Sequence, residues 1–300
     1  MIQISELSKK IDHRQILDNI NLTIPTGSIY GIVGMNGAGK TTLINHMVGA
    51  YRSDEGKVMI DGEMVYENPI IKQKLVYIPD EFPNTFGDSM KEIVQLYRSI
   101  YPSFDEERYY RLLKLFNRNE NETFNRFSKG MKKQVLFILA LSIMPEYLIM
   151  DEPFDGLDPH VRKVIWDILI EDVAERNMTI FISSHHLNEL DNMCDHIAFL
   201  DHGQVVIENS LEELKHHYHK IQVVFENGSD FYHVEQELEV LDHTMIGKIH
   251  TLFIKSDFDQ MNEYILAKDP IVYETLPLTL EEIFIFSLGG NKYGLQELFD

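Results

Sequence analysis

The chain has 300 residues, 44% of them hydrophobic, enough for one large or two modest domains with a sizeable core. Acidic residues outnumber basic ones by 48 to 27, a formal charge of −21 that repels nucleic-acid phosphates and anionic lipid headgroups. The single cysteine, Cys194, excludes an intramolecular disulfide and suits a reducing compartment; no activating cation neighbours it in sequence, so it reads as a packed, inert thiol.

No basic and apolar leader opens the chain, and the longest apolar run, Val135 to Met144, is too short to span a bilayer. A soluble protein without direct membrane insertion is expected. In chain order, residues 1–26 alternate weakly, as edge strands joined by turns. A short apolar strand at 28–33 then leads into Gly34-Met35-Asn36-Gly37-Ala38-Gly39-Lys40-Thr41-Thr42, which fits the phosphate-loop pattern G-x-x-x-x-G-K-[ST]. A helix follows from Thr41 to Val48. Its N-terminus and the glycine-freed N–H groups make an anion cradle. Lys40 reaches the β- and γ-phosphates, and the Thr41 hydroxyl takes one Mg²⁺ position.

Strands are predicted at 57–60 and 75–78, with Asp61-Gly62 as a hairpin-type turn between them. From Met90 to Leu115 the pattern is helical and rich in aromatics, which read mainly as core. A break at 102–105 offers Ser103 or Asp105 as the cap of its second half. Ser128 caps a helix over 129–143, and Gly130 permits close backbone approach at its start, itself an anion site. The apolar strand at 147–150 ends in Asp151 and Glu152. A buried strand holds Asp151 rigidly as a Mg²⁺ ligand, and Glu152 is placed to polarise an attacking water. A helix at 160–176, a strand at 179–183 and a strand pair around Asp201-His202-Gly203 complete an α/β pattern with a largely parallel sheet. A boundary falls near 210–220. Leu211 to Leu214 reads as the close of a helix, and a small α+β appendage follows. His216-His217-Tyr218-His219 reads as a solvated helix end, since no cysteine or carboxylate stands at ligand spacing.

The order of these motifs resembles the ATP-binding cassette (ABC) ATPases. The Walker A loop is at 34–42, a signature segment at 127–131, Walker B at 147–152, a D-loop at Gly156-Leu157-Asp158, and a switch histidine at His185 after Ser183-Ser184. The resemblance covers about residues 1–210, with a helical subdomain at about 85–145 and residues 211–300 as an accessory domain. It implies a P-loop NTPase cassette with a mixed sheet core, an antiparallel β part and a helical subdomain. It also implies ATP and Mg²⁺ as ligands, and two cassettes meeting head to tail. ATP then lies between one Walker A loop and the partner's Ser128, Lys129, Gly130, Met131 and Asp158, and His185 contacts the γ-phosphate.

Three departures stand out. Lys129 occupies a usual glycine position, where it either approaches the γ-phosphate or points to solvent. Asp80 replaces the Q-loop glutamine and is an acceptor only, able to help hold Mg²⁺ or water. Ile11 stands where an aromatic stacks on adenine, leaving the base on Ile11 or on His13. The tail ending Pro277-Leu278-Thr279-Leu280-Glu281-Glu282-Ile283-Phe284 is similar to that of ABC-2-type bacterial exporters. The Asp80 acid and the segment 99–105 are similar to a Gram-positive branch that handles envelope stress, antimicrobial peptides or amphipathic toxins. The resemblance therefore implies an ATP-hydrolysing motor working through a separate membrane permease, on the inner face of the cell membrane. Two alternatives remain at this stage, a soluble non-transport ABC ATPase and a regulatory cassette that binds ATP without efficient hydrolysis.

Overall fold

The computed structural model describes residues 1–80, 89–185, 187–191, 193–226 and 228–287. The weak alternation near the start becomes two long strands. Strand β1 (Ile2–Ile11) buries Ile2, Ile4 and Leu7, and β2 (Arg14–Ile24) buries Leu17, Ile20, Leu22 and Ile24. Asp12 and His13 connect them with φ of 47° and 65°, the left-handed turn that matches strand twist. Strand β3 (Ile29–Val33) is buried at every position and runs into the phosphate loop and helix α1 (Lys40–Met47). Strand β4 (Glu55–Ile60) pairs with β1 and turns at Asp61-Gly62 into β5 (Glu63–Met64). This corrects the sequence reading, which joined that turn to the strand at 75–78. Helix α2 (Pro69–Lys74) intervenes, because Asn68 Oδ1 accepts the N–H groups of Ile70 and Ile71 and Pro69 suits a first helical turn.

After β6 (Leu75–Ile78) come α3 (Met90–Ile100), closed at its start by the reciprocal Ser89–Glu92 bonds, and α4 (Glu106–Leu115), capped by Asp105. The 85–88 portion of the expected helical subdomain lies outside the described residues. Of its aromatics, Tyr109 and Phe116 are buried, as core residues should be, whereas Tyr110 is exposed. Helix α5 (Lys129–Ser142), β7 (Tyr147–Asp151), α6 (Pro159–Arg176), β8 (Thr179–Ser184), α7 (Leu187–Leu190), β9 (His196–Asp201) and β10 (Gln204–Ser210) follow.

Among the described residues one sheet has the order β10-β9-β3-β8-β7-β6, with β6, β7, β8, β3 and β9 parallel, and another has the order β2-β1-β4-β5. Parallel neighbours need crossover connections, which the helices supply. Leu43, Ile44 and Met47 of α1 share one core with Ile20 and Leu22 of the antiparallel sheet and Ile149, Phe181 and Ala198 of the parallel one. Each fully buried Leu or Ile there contributes about 1.5–3 kcal/mol. The helix behind the phosphate loop is thereby clamped between two sheets.

The described residues divide into two compact units, 1–80, 89–185 and 193–208 in one, and 187–191, 209–226 and 228–287 in the other. In the second, α8 (Leu211–His217) opens at Leu211 instead of closing there, since Ser210 Oγ accepts the Glu213 N–H. Strand β11 (Tyr218–Val224), α9 (Gly228–Glu237), β12 (Glu239–Ile246), β13 (Ile249–Lys255), α10 (Phe258–Leu266), β14 (Val272–Leu276) and α11 (Leu280–Ser287) complete it. Its sheet has the order β12-β13-β11-β14, packed on Val234, Met261 and Ile265. The expected solvated end at 216–219 is only half so. His216 is exposed, but β11 begins at Tyr218, and His219 is buried with Nε2 3.1 Å from the Ser256 carbonyl.

Candidate nucleotide site

The carboxyl ends of the parallel strands face a depression of about 370 Å³. Its walls include Ile16, Asn36, Gly37, Lys40, Thr41, Asp80, Asp151 and Glu152. Three glycines shape the loop. A Cβ on Gly34 would lie 2.4 Å from the Leu200 carbonyl oxygen; Gly39 has φ of 110°; Gly37, at φ of 84°, has open space where its Cβ would project. The loop thus passes where a side chain on Gly34 would clash and one on Gly39 would be strained, and it leads directly into the start of α1.

Lys40 is nine-tenths buried, its ammonium donating to the carbonyls of Gly34 (2.6 Å) and Met35 (3.4 Å) and standing 3.5 Å from Glu152 Oε1. Thr41 Oγ1 donates to Asp151 Oδ2 at 2.7 Å, while Ser183 Oγ donates to Asp151 Oδ1 at 2.5 Å. Thr41 and Asp151 thus present adjoining hard oxygens, the donor chemistry that suits Mg²⁺. Ser183 was not singled out in the sequence; its place on β8, paired with β7 so that Asp151 faces Ser183, is visible only once register is known.

Glu152 leaves the strand with φ of 43°, and its N–H donates to Ser183 O and Oγ. Its Oε2 accepts the His185 backbone N–H at 3.3 Å and lies 2.9 Å from His185 Nδ1. The two residues proposed for catalysis are therefore joined, and Asp155 comes within reach of the same cluster. Burial, with Asp151 and Asp80 nearby, pushes the Tyr77 phenol well above its ordinary range, so it stays neutral beside the acids.

Asp80 also lines the depression, but its Oδ1 is 3.4 Å from Lys129 Nζ and 3.3 Å from Lys133 Nζ. Lys129 is thus paired within its own chain rather than turned to solvent alone. Lys133 was missed in the sequence, where it reads as one more cation in a basic run. Burial pulls its pKa down and Asp80 opposes that.

The other sequence candidates lie elsewhere. Ile11 and His13 stay at the β1–β2 turn and do not line the depression, which Ile16 does. Ser128 Oγ accepts the Met131 N–H at 3.2 Å as the cap of α5. A Cβ on Gly130 would lie 2.4 Å from the Gly156 carbonyl oxygen, so the signature start packs directly on the segment after Walker B. Asp158 caps α6 through the N–H groups of His160 and Val161.

Comparison with known proteins supports the same frame. The family model for ABC transporters matches residues 17–155. The ABC transporter ATP-binding protein YtrB of Bacillus subtilis is 33% identical over 97% of this chain and 99% of its own length. The bacitracin transport ATP-binding protein BcrA of Bacillus licheniformis is 28% identical over 98% of this chain and 99% of its own. A solved ATP-binding subunit of an ABC transporter superposes with a TM-score of 0.66 at 27% identity, covering 72% of this chain and 92% of that one. The phosphate loop, the paired acids where β7 ends and these likenesses lead to one conclusion: the chain belongs to the ATP-binding subunits of ABC transporters, and its reaction is the hydrolysis of ATP.

Proposed function

We propose that the chain is the motor of a bacterial exporter for amphipathic or antimicrobial peptides, working through a separate membrane permease on the inner face of the cell membrane. Similarity over nearly the full length to a protein named for bacitracin transport supports a peptide cargo. Among the described residues no helix is long and apolar enough to cross a membrane, consistent with a separate pore-forming subunit.

The convergence of Lys40, Thr41, Asp151 and Glu152 on one depression carries the reading. Lys40 and the amides of residues 34–42 hold the phosphates. Thr41 and Asp151 would hold Mg²⁺, which when bound would offset charge on the phosphate oxygens, while Asp80 across the depression is engaged by Lys129 and Lys133. Glu152 accepts the proton of the attacking water, and His185 fixes its carboxylate and meets the γ-phosphate. The base rests on Ile16, which lines the depression as Ile11 and His13 do not. Ser128, Lys129, Gly130, Met131 and Asp158 serve the nucleotide of a second cassette, either another copy or a related ATPase. The residues from 211 onward form an accessory domain.

The test is ATP turnover by the purified chain against its own concentration, with Glu152→Gln as control. A rate per molecule that rises with concentration and vanishes in the variant supports a self-pairing catalytic cassette. Turnover that appears only with the membrane subunit or a second ATPase supports obligate assembly. Full turnover in Glu152→Gln overturns the catalytic assignment.

A further inference from the structure

Helix α5 carries three lysines in its first five residues, and their surroundings differ sharply. Lys129 is exposed and Lys132 half-buried, whereas Lys133 is only 2% exposed. A buried ammonium has three protons to satisfy. Lys133 places them on three acceptors: Pro79 O at 3.4 Å, Asp80 Oδ1 at 3.3 Å and Glu152 O at 2.7 Å. These belong to the ends of β6 and β7, neighbouring parallel strands in which Ile78 faces Met150. One cation therefore ties together the two strand ends that carry acids into the nucleotide depression.

The shortest of the three bonds goes to the residue whose backbone most needs it. Glu152 has no glycine's freedom, yet its φ of 43° lies in the left-handed region, where its Cβ crowds the backbone. Such a conformation persists only where the surroundings over-determine it. The Glu152 N–H is held by Ser183, and its C=O is held by Lys133. With both ends of the residue fixed, the side chain is aimed between Lys40 and His185.

We propose that Lys133 is a positioning residue for the hydrolytic step: it fixes the Glu152 main chain and couples it to Asp80, so that the carboxylate faces the water with its geometry set in advance. The proposal rests on Glu152 being the residue that acts on water. Lys133 touches neither phosphate nor water in this role, so its removal acts on turnover and not on nucleotide affinity.

The experiment is steady-state ATP turnover by the full chain, with its membrane subunit where turnover requires it. Lys133→Met, Lys133→Gln and Lys133→Arg are compared with wild type and Glu152→Gln. Lys133→Met is expected to lower kcat by about tenfold or more, with KM for ATP changed by less than about twofold. Lys133→Arg, which keeps the charge and the donors, is expected to recover about half of the wild-type kcat. If the Met variant does not fold, Lys133→Gln serves, since its neutral amide hydrogen-bonds Asp80 but is too short to reach the Glu152 carbonyl as well; the same loss of kcat is expected. A kcat within about twofold of wild type in the folded Met or Gln variant overturns the proposal, as does a loss shared equally by KM. Loss of activity in Glu152→Gln alone, with Lys133 variants unaffected, sinks the role of Lys133 and spares that of Glu152; full activity in Glu152→Gln removes the ground for both.

Discussion

Strands β6 and β7 lie side by side and both deliver an acid to the same depression, but the two ends are built from different materials. At the end of β7, Asp151 is 2% exposed and held by neutral hydroxyls, Thr41 on one oxygen and Ser183 on the other. Among the described residues no ammonium or guanidinium pairs with it, which leaves its charge for a cation. At the end of β6, Asp80 is partly exposed and meets two ammonium groups, Lys129 and Lys133. Much of its charge is already answered from within the chain. Hydroxyl partners keep a carboxylate available, whereas lysine partners commit it to structure.

Substituting the two acids alike gives the sharpest break in this comparison. Asp151→Asn is expected to lower Mg²⁺-dependent ATP turnover by about 100-fold or more, while nucleotide binding without Mg²⁺ persists. Asp80→Asn is expected to lower turnover by no more than about tenfold and to reduce unfolding free energy by about 1–2 kcal/mol, since it leaves the buried Lys133 ammonium without its carboxylate. Equal losses of turnover in the two variants would erase the distinction. Denaturant unfolding beside steady-state turnover reads both quantities.

Gly130→Ala probes the signature side. Its Cβ would press on the Gly156 carbonyl at 2.4 Å, and the backbone must shift to relieve it. Turnover is expected to fall by about tenfold with ATP affinity retained, because the strain falls on the segment that follows Glu152 rather than on the phosphate loop. An unchanged rate would mean that this contact yields without consequence for the strand ends.

The smallest effect concerns pH. Burial behind the phosphate loop lowers the pKa of His46, whose Nδ1 lies 2.7 Å from the Thr42 carbonyl and whose ring meets Tyr51 edge-on. The unfolded chain then takes up the proton at a higher pH than the folded one. Its contribution to stability is complete above the ordinary histidine pKa of about 6.5 and is lost as pH falls from there toward the depressed value. His46→Gln should shrink the drop in Tm between about pH 7.5 and about pH 5.5 by about 1–2 °C. An unaltered drop would assign the acid sensitivity to other groups.

Much of the site was legible in the sequence because its residues sit in short contiguous patterns. Lys40 and Thr41 follow a glycine pattern, and Asp151 and Glu152 end an apolar strand. Ser128 stands ahead of a helix that it does cap. The misreadings share a different cause. Asn68 and Pro69 carry a recognisable helix start, but α2 has only six residues and no long apolar period to announce it. Ser210 caps a helix that the sequence reads as closing over Leu211 to Leu214, because seven residues carry too short a period to show which end is which. Ser183 and Lys133 could not be found at all from local pattern. A serine on an apolar strand and a lysine in a basic run acquire their roles from strand register and from which face of α5 is covered.

The order of strands in the parallel sheet also sets a timetable for synthesis. Strand β3 leads into the phosphate loop near the start of the chain, yet its neighbours are β8 and β9, with Tyr30 beside Phe181 and His196. Such distant pairings form slowly and late. A ribosome that has made the entire Walker A segment has therefore not yet made an ATP site; that waits until residues near 200 emerge. A nascent chain stalled before them carries the motif without its bed, and the cell meets a motor that gains its grip on nucleotide only when the whole cassette has left the tunnel.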